Sequence, residues 1–399
     1  MVIRTQPAHK AAAPKTVTIS EDAVVALRVI ERVSSRGAQH VLGGTIKAIT
    51  NFDVNVHVIR RNSEVLRAQM TDGSSKAGQN FLLLEEHKAP AVQVILCALH
   101  SKYDDWSNSD CGKSITRETL HLPVRNLWDV IFSARKLKIE KFRLDAWFEL
   151  WYEQNAAKTD TKFLLYPCYM FNHAKGFAAA TKEMVYDHKR VVEFSVEQHS
   201  NLHLPPRVVR RWNLSLSKIL TNLDTEQIRG AAGRLKTILG NDLWRPIESL
   251  MGASCECKEN TLFAFQHALW MTHGFPVDHA SQNNSITKIL VNLAKFESPK
   301  IKTCLICHHE WDSIVWQARR AAWDRFDGLC LDCMDPDQPK FNDKHEDYWR
   351  HLTYPMKWDR NCRIKHGEPT WYFSFMGRLD EREQHPMHAK SLKPRPKLR

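Results

Sequence analysis

Residues 52–70 read FDVNVHVIRRNSEVLRAQM, and where a strand gives way to helix inside this stretch fixes the architecture around it. In the longer run TIKAITNFDVNVHVIRR, residues 45–61, apolar and polar residues alternate. That is the period of a half-buried strand, so strands are expected as far as Arg61. Upstream, Ser20 suits an N-cap for EDAVVALRVIERVSS (21–35), where Val24, Leu27, Ile30 and Val33 would share one helical face. Downstream, the loop DGSSKAG (72–78) leads to FLLLEE, which reads as a strand, and then to PAVQVILCAL (90–99), which reads as a buried helix. NLWDVIFSARKLKIEKFRLDAWFELWYEQN (126–155) repeats apolar residues at three- and four-residue steps, as in Leu127, Val130, Ile131, Ala134 and Leu137, and predicts a helix pair. After a polar break, AAKTDT at 156–161, a second helical pair is expected over FLLYPCYMFNHAKGFAAATKEMVYD.

Apolar residues form 43% of the 399-residue chain, enough for real hydrophobic cores and too many for global disorder. The length favours at least two domains with tails. The net charge of +12 invites a nucleic-acid reading, but much of it sits at the ends. Arg4, Lys10 and Lys15 lie in the first 20 residues and Lys390, Lys393, Arg395, Lys397 and Arg399 in the last 11, neither stretch holding an acid. Basic ends fit a localisation signal or a weak tether better than a DNA-reading fold. No run approaches the roughly 18 apolar residues of a membrane-crossing helix. The start, MVIRTQPAHKAAAPK, lacks an apolar leader core, so an intracellular protein of nucleus or cytoplasm is expected.

In a reducing compartment, cysteines paired at short spacing suit a metal better than disulfides. Residues 304–333 hold one Cys-x-x-Cys at Cys304 and Cys307 and another at Cys330 and Cys333. Each such turn can aim two thiolates at one ion, and two turns complete a tetrahedral zinc shell. The 22 residues between the pairs include DSIVWQARRAAWDRF, which predicts a helix with Ile314, Ala318, Ala321 and Arg325 on one face. His308, His309, Cys362 and His366 are alternates for any of the four. A closed set of thiolates implies a structural zinc, because a catalytic zinc keeps a position for water. The spacer helix also carries Gln317, Arg319, Arg320 and Arg325, which could contact nucleic acid, though among three Trp. The section from Leu204 to about Phe296 is helical in pattern and contains CECKEN (255–260) and TLFAFQHALWMTHG.

Phe52, Val54, Ser63, Val65 and Leu66 resemble the part of fungal BTB (POZ) domains in which a Phe-x-Val strand leads to a Ser-x-Val-Leu helix start. The order that follows is also similar to that family: FLLLEE, APAVQVILCALHSK, a basic and polar loop, and the pair LPVRNLWDVIFSARKLKIEKFRLDAWFELW. FDGLCLDCMD, DYWRH and CRIKHGEPTWYFSFMGR resemble the ending of filamentous-fungal BTB-containing proteins. The resemblance implies an α+β chain: a BTB/POZ-like domain with helical extension at 21–190, a helical domain at 200–298 and a small zinc-binding, aromatic module at 300–380. A disordered tail at 1–20 and a basic tail at 381–399 would flank them.

It further implies a non-enzymatic protein-interaction adaptor or scaffold whose partner is a second copy or a cullin-type ubiquitin ligase, with the five residues from Phe52 to Leu66 as interaction candidates. The other expectation is a nuclear transcriptional regulator that contacts nucleic acid through the zinc module and basic tails. Other signals read as structural. GKS at 112–114 lacks the upstream Gly of a phosphate loop, since Ser107 stands there. His173, His267 and His273 suit packed or surface imidazoles, Cys97 and Cys168 buried thiols, and TWYFSFMG (370–377) an inward-alternating strand. No paired carboxylates, Ser-His-Asp set or nucleotide fingerprint stands out.

Overall fold

The computed structural model describes residues 13–22, 25–32, 46–71, 81–101, 113–140, 142–187 and 227–331, with the isolated positions 202, 204, 363 and 364. The chain is mixed α and β, with one small sheet among the described residues, and divides into two compact units. The first comprises Met1–His173 and Ser195–Leu202, the second Ala174–Phe194 and His203–Arg399.

In the first unit, β1 (Lys15–Thr18), β2 (Val25–Arg32), β3 (Ile46–Val54) and β4 (Phe81–Leu84) form a sheet of order β1-β3-β2-β4. β2 runs antiparallel to β3, while β1 and β4 lie parallel to their neighbours. The registers set Val17, Phe52, Leu27 and Leu82 in one row and Thr50, Val29 and Leu84 in the next. Val17, Leu27, Val29, Phe52, Val54 and Leu84 are buried, so one face of the sheet carries the core.

Three assignments change here. The segment expected to be a helix at 21–35 is strand β2 over Val25–Arg32, because Leu27 and Val29 alternate inward and find partners on β3 and β4. Cross-strand pairing outweighs a three- and four-residue spacing that VALRVIER also happens to contain. The expected strand ends at Val54 instead of Arg61. Asn55 caps helix α1 (Val56–Asn62), its side chain accepting from the N–H groups of His57 and Val58 at 2.9 and 3.4 Å. The expected N-terminal tail likewise contributes β1, since Lys15–Thr18 pair with Thr50–Asp53.

Helix α2 (Glu64–Thr71) follows at once. Ser63 joins the two helices: its buried hydroxyl donates to the carbonyl of Leu137 at 2.7 Å and accepts from the N–H of Leu66 at 3.1 Å. Helix α3 (Ala89–His100), buried along most of its length, packs on β2, β3 and α1. It also meets α4 (Lys113–Leu120), α5 (Leu127–Lys136) and α6 (Phe142–Asn155). Trp128, Trp147, Phe148 and Trp151 of the expected helix pair are fully buried, and Trp151 Nε1 donates to the carbonyl of Leu122 at 2.8 Å. The polar break at 156–161 is realised as short 3-10 turns ahead of α7 (Leu165–Met170).

The second unit is helical where described: α8 (Ala174–Asp187), α9 (Gln227–Met251), α10 (Lys258–Met271), α11 (Val277–Asn283), α12 (Ile286–Leu293) and α13 (Trp311–Trp323). Helix α9 touches α8, α10, α11 and α13, and its Leu235, Leu239, Leu243, Ile247 and Leu250 form a buried stripe at helical spacing. The boundary expected near residue 300 falls inside this unit, because α13 packs on α9 and α12. The end of α13 and the chain after it dock on α8: Tyr186 Oη donates to the carbonyl of Ala322 at 2.7 Å, and the N–H of Leu329 donates to Thr181 Oγ1 at 2.8 Å. Gly328 has φ of 97°, and a Cβ there would collide with the carbonyl oxygen of Ala178, so the position requires glycine.

Candidate metal centre

Helix α9 ends at Met251 and the chain turns through Cys255 to Cys257, which stands at the N-cap of α10. The N–H of Thr261 donates to the carbonyl of Cys257 at 3.0 Å and the Thr261 hydroxyl adds a second bond at 2.8 Å, so the Cys257 backbone is fixed to the first helical turn. The Cys-x-x-Cys of Cys304 and Cys307 forms the second turn, closed by a bond from the N–H of Cys307 to the carbonyl of Cys304 at 3.1 Å. Phe265 of α10 and Trp311, which opens α13, are buried and stacked with centroids 4.2 Å apart. That stack holds the two helices, and with them the two turns, together.

The four sulfurs of Cys255, Cys257, Cys304 and Cys307 lie within 4.8 Å of one another. Cys255 and Cys307 approach to 2.8 Å and Cys255 and Cys257 to 3.7 Å. A tetrahedral zinc with bonds of about 2.3 Å sets its sulfurs roughly 3.8 Å apart, inside this spread. A disulfide needs about 2.05 Å, which no pair meets. Cys307 is buried and the other three are half-buried.

The electrostatics suit a cation. Backbone N–H of Cys307, then the Cys257 thiol and the N–H of Ile306, bring the Cys304 thiol down to about 7. Cys307 is pushed up, first by its hydrogen bond with Cys255 and then by burial. For Cys255 the bond to Cys307 acts downward, but burial and the neighbouring Cys304 and Cys257 outweigh it and the thiol is raised. Neighbouring sulfurs thus oppose the ionisation of Cys255 and Cys307, and a divalent cation bound among them would offset that opposition. The donor set is compatible with a metal site.

The structure thus joins the expected Cys304 and Cys307 to Cys255 and Cys257. Cys330 is fully buried in the segment anchored to α8 by Leu329 and is not among the four. Cys333, Cys362 and His366 lie outside the described residues, as do the 370–377 aromatic run and the basic tail. His308 Nδ1 faces Thr303 Oγ1 at 3.4 Å and His309 meets the Trp311 ring edge-on at 4.8 Å; neither imidazole belongs to the cluster. The Cys-x-Cys at 255–257 is a short-spaced pair visible in the sequence; what the sequence does not state is which two turns meet.

The five residues expected to contact a partner are placed differently from that expectation. Phe52, Val54, Ser63 and Leu66 are buried within the core of the first unit and Val65 is half-buried. Among the described residues no helix is long and apolar enough to cross a membrane. Compared with known proteins, the chain matches no family model, no curated protein and no solved structure.

Proposed function

We propose that this chain is a non-enzymatic protein-interaction adaptor, with a BTB-like first unit and a second, helical unit fastened by a structural zinc ion. The observation that carries the first part is the bond from Ser63 to the carbonyl of Leu137. It links the helix start on which the BTB resemblance rests to the end of α5, in the later helix pair on which it also rests, 74 residues on. Strand, helix start, strand, buried helix and helix pair follow in the order that the resemblance implies. The zinc reading rests on the soft, closed donor set, since four thiolates in a tetrahedron suit zinc or iron and leave no position for water.

On this reading the partner is a second copy of the chain or a cullin-type ubiquitin ligase, and the nucleic-acid role is the competing outcome. Of the base-reading candidates on α13, Arg319 Nε donates to the carbonyl of Leu290 at 2.9 Å, Gln317 to Ser313 at 3.1 Å and Arg320 to Asp324 at 3.3 Å, whose carboxylate would repel a phosphate backbone. A tagged pull-down from the native cell, washed at moderate salt with nuclease present, tests the proposal. Recovery of a cullin or of a second copy supports it. Loss of every partner on nuclease treatment overturns it in favour of nucleic acid.

A further inference from the structure

Trp316 and Trp323 of α13 are 51% and 49% exposed, although an indole is among the most rewarding side chains to bury. Seven residues apart, they lie two turns along one face, about 10 Å from each other along the axis. Arg319 and Arg320 stand between them, and together with Leu290 and Asp324 these residues line a pocket of about 320 Å³. The site is braced from below. Arg319 is held by its bond to the Leu290 carbonyl at 2.9 Å, and Tyr186 Oη, bonded to the Ala322 carbonyl at 2.7 Å, reaches that of Trp323 at 3.1 Å. The Arg320 guanidinium lies over the Trp316 ring at 5.2 Å. Two indoles flanking two guanidiniums on a fixed backbone make the composition that dominates protein-binding hot spots.

We propose that this groove binds an acidic, extended segment of a partner protein, seating two apolar side chains against Trp316 and Trp323 and a carboxylate between them on Arg319 and Arg320. A segment extended as polyproline II advances about 3.1 Å per residue with three residues per turn, so side chains three residues apart share one face and are separated by about 9 Å, close to the spacing of the indoles. The paired cations supply the charge complementarity. A nucleic-acid strand fits less well: its binding sites track several successive phosphates, and this groove offers two cations and sets the Asp324 carboxylate beside them. The assignment depends neither on the metal nor on the kinship of the first unit.

The test uses the full chain and a labelled peptide, Asp-Phe-Glu-Glu-Phe-Asp, followed by fluorescence anisotropy, beside Lys-Phe-Lys-Lys-Phe-Lys and a short oligouridylate. The acidic peptide is expected to bind and the basic one not. Trp316→Ala and Arg320→Glu should each weaken binding about tenfold or more. Asp324→Asn, which removes the carboxylate that holds Arg320, should tighten it roughly twofold, a direction that loss of folding cannot produce. The proposal is overturned by equal binding of the acidic and basic peptides, by unchanged affinity in the Trp316 and Arg320 variants, or by no binding of the acidic peptide up to about 1 mM. Binding of oligouridylate in place of the peptide overturns it too and assigns the groove to single strands.

Discussion

Replacing Cys255 with Ser removes one sulfur from a group whose members all lie within 4.8 Å, whereas replacing Cys330 leaves the group intact. Metal content of the purified variants, measured by elemental analysis, should therefore fall sharply in Cys255→Ser and Cys304→Ser. Loss in both Cys304→Ser and Cys330→Ser, with full metal content in Cys255→Ser, would restore the pairing of the two Cys-x-x-Cys turns. Spacing made Cys304 and Cys307 legible as a pair that could join a cluster, and the same spacing made Cys330 look equivalent. What separates them is the bond from Leu329 to Thr181, a contact 148 residues apart that no local pattern announces. In the first unit, burial lowers the pKa of His87 from 6.5, and its Nδ1 lies 3.0 Å from Ser133 Oγ. A folded-state value below the unfolded one stabilises above about pH 6.5 and is lost as pH falls through the folded value. Denaturant melts should show lower stability near pH 5.5 than near pH 7.5, and His87→Gln should flatten that slope.

At the level of elements, the helices α3, α5, α6 and α13 were legible because apolar spacing and length agreed over ten or more residues. β2 and α1 were not. Both are eight residues or shorter and β-branched, so their state is decided by what surrounds them: β3 and β4 for the one, the Asn55 cap for the other. The segment after α13 shows the same dependence at a single joint. Gly328→Ala would place a methyl group against the Ala178 carbonyl at a φ of 97°, and should cost about 3 kcal/mol, read from denaturant unfolding. The expected signature in hydrogen exchange is loss of protection at α8 and at residues 326–331, with β2 and β3 unaffected.

Across the whole molecule, the four sulfurs belong to the second unit alone. A chelator should therefore lower the thermal transition of that unit and expose the amides of α10 and α13 to exchange, while the sheet keeps its protection. A single transition that shifts as one would contradict two separately melting units. An α+β chain of more than one unit was legible from length and pattern, but the boundary was not. A composition change near residue 300 suggested a separate module, whereas the Phe265 and Trp311 stack binds the sequence on either side of that change into one core.

The bond between Tyr186 and Ala322 spans 136 positions, and it fixes an order of events during synthesis. Helix α8 leaves the ribosome with Phe177, Met184, Val185 and Tyr186 bare, and the residues that will cover part of that surface follow 136 or more positions after Tyr186. At about 5–20 residues per second the wait lasts roughly 7–27 s, long compared with the microseconds in which a helix forms. The nascent second unit is thus a client for whatever shields apolar surface at the tunnel exit, until residues 322–331 emerge to close it.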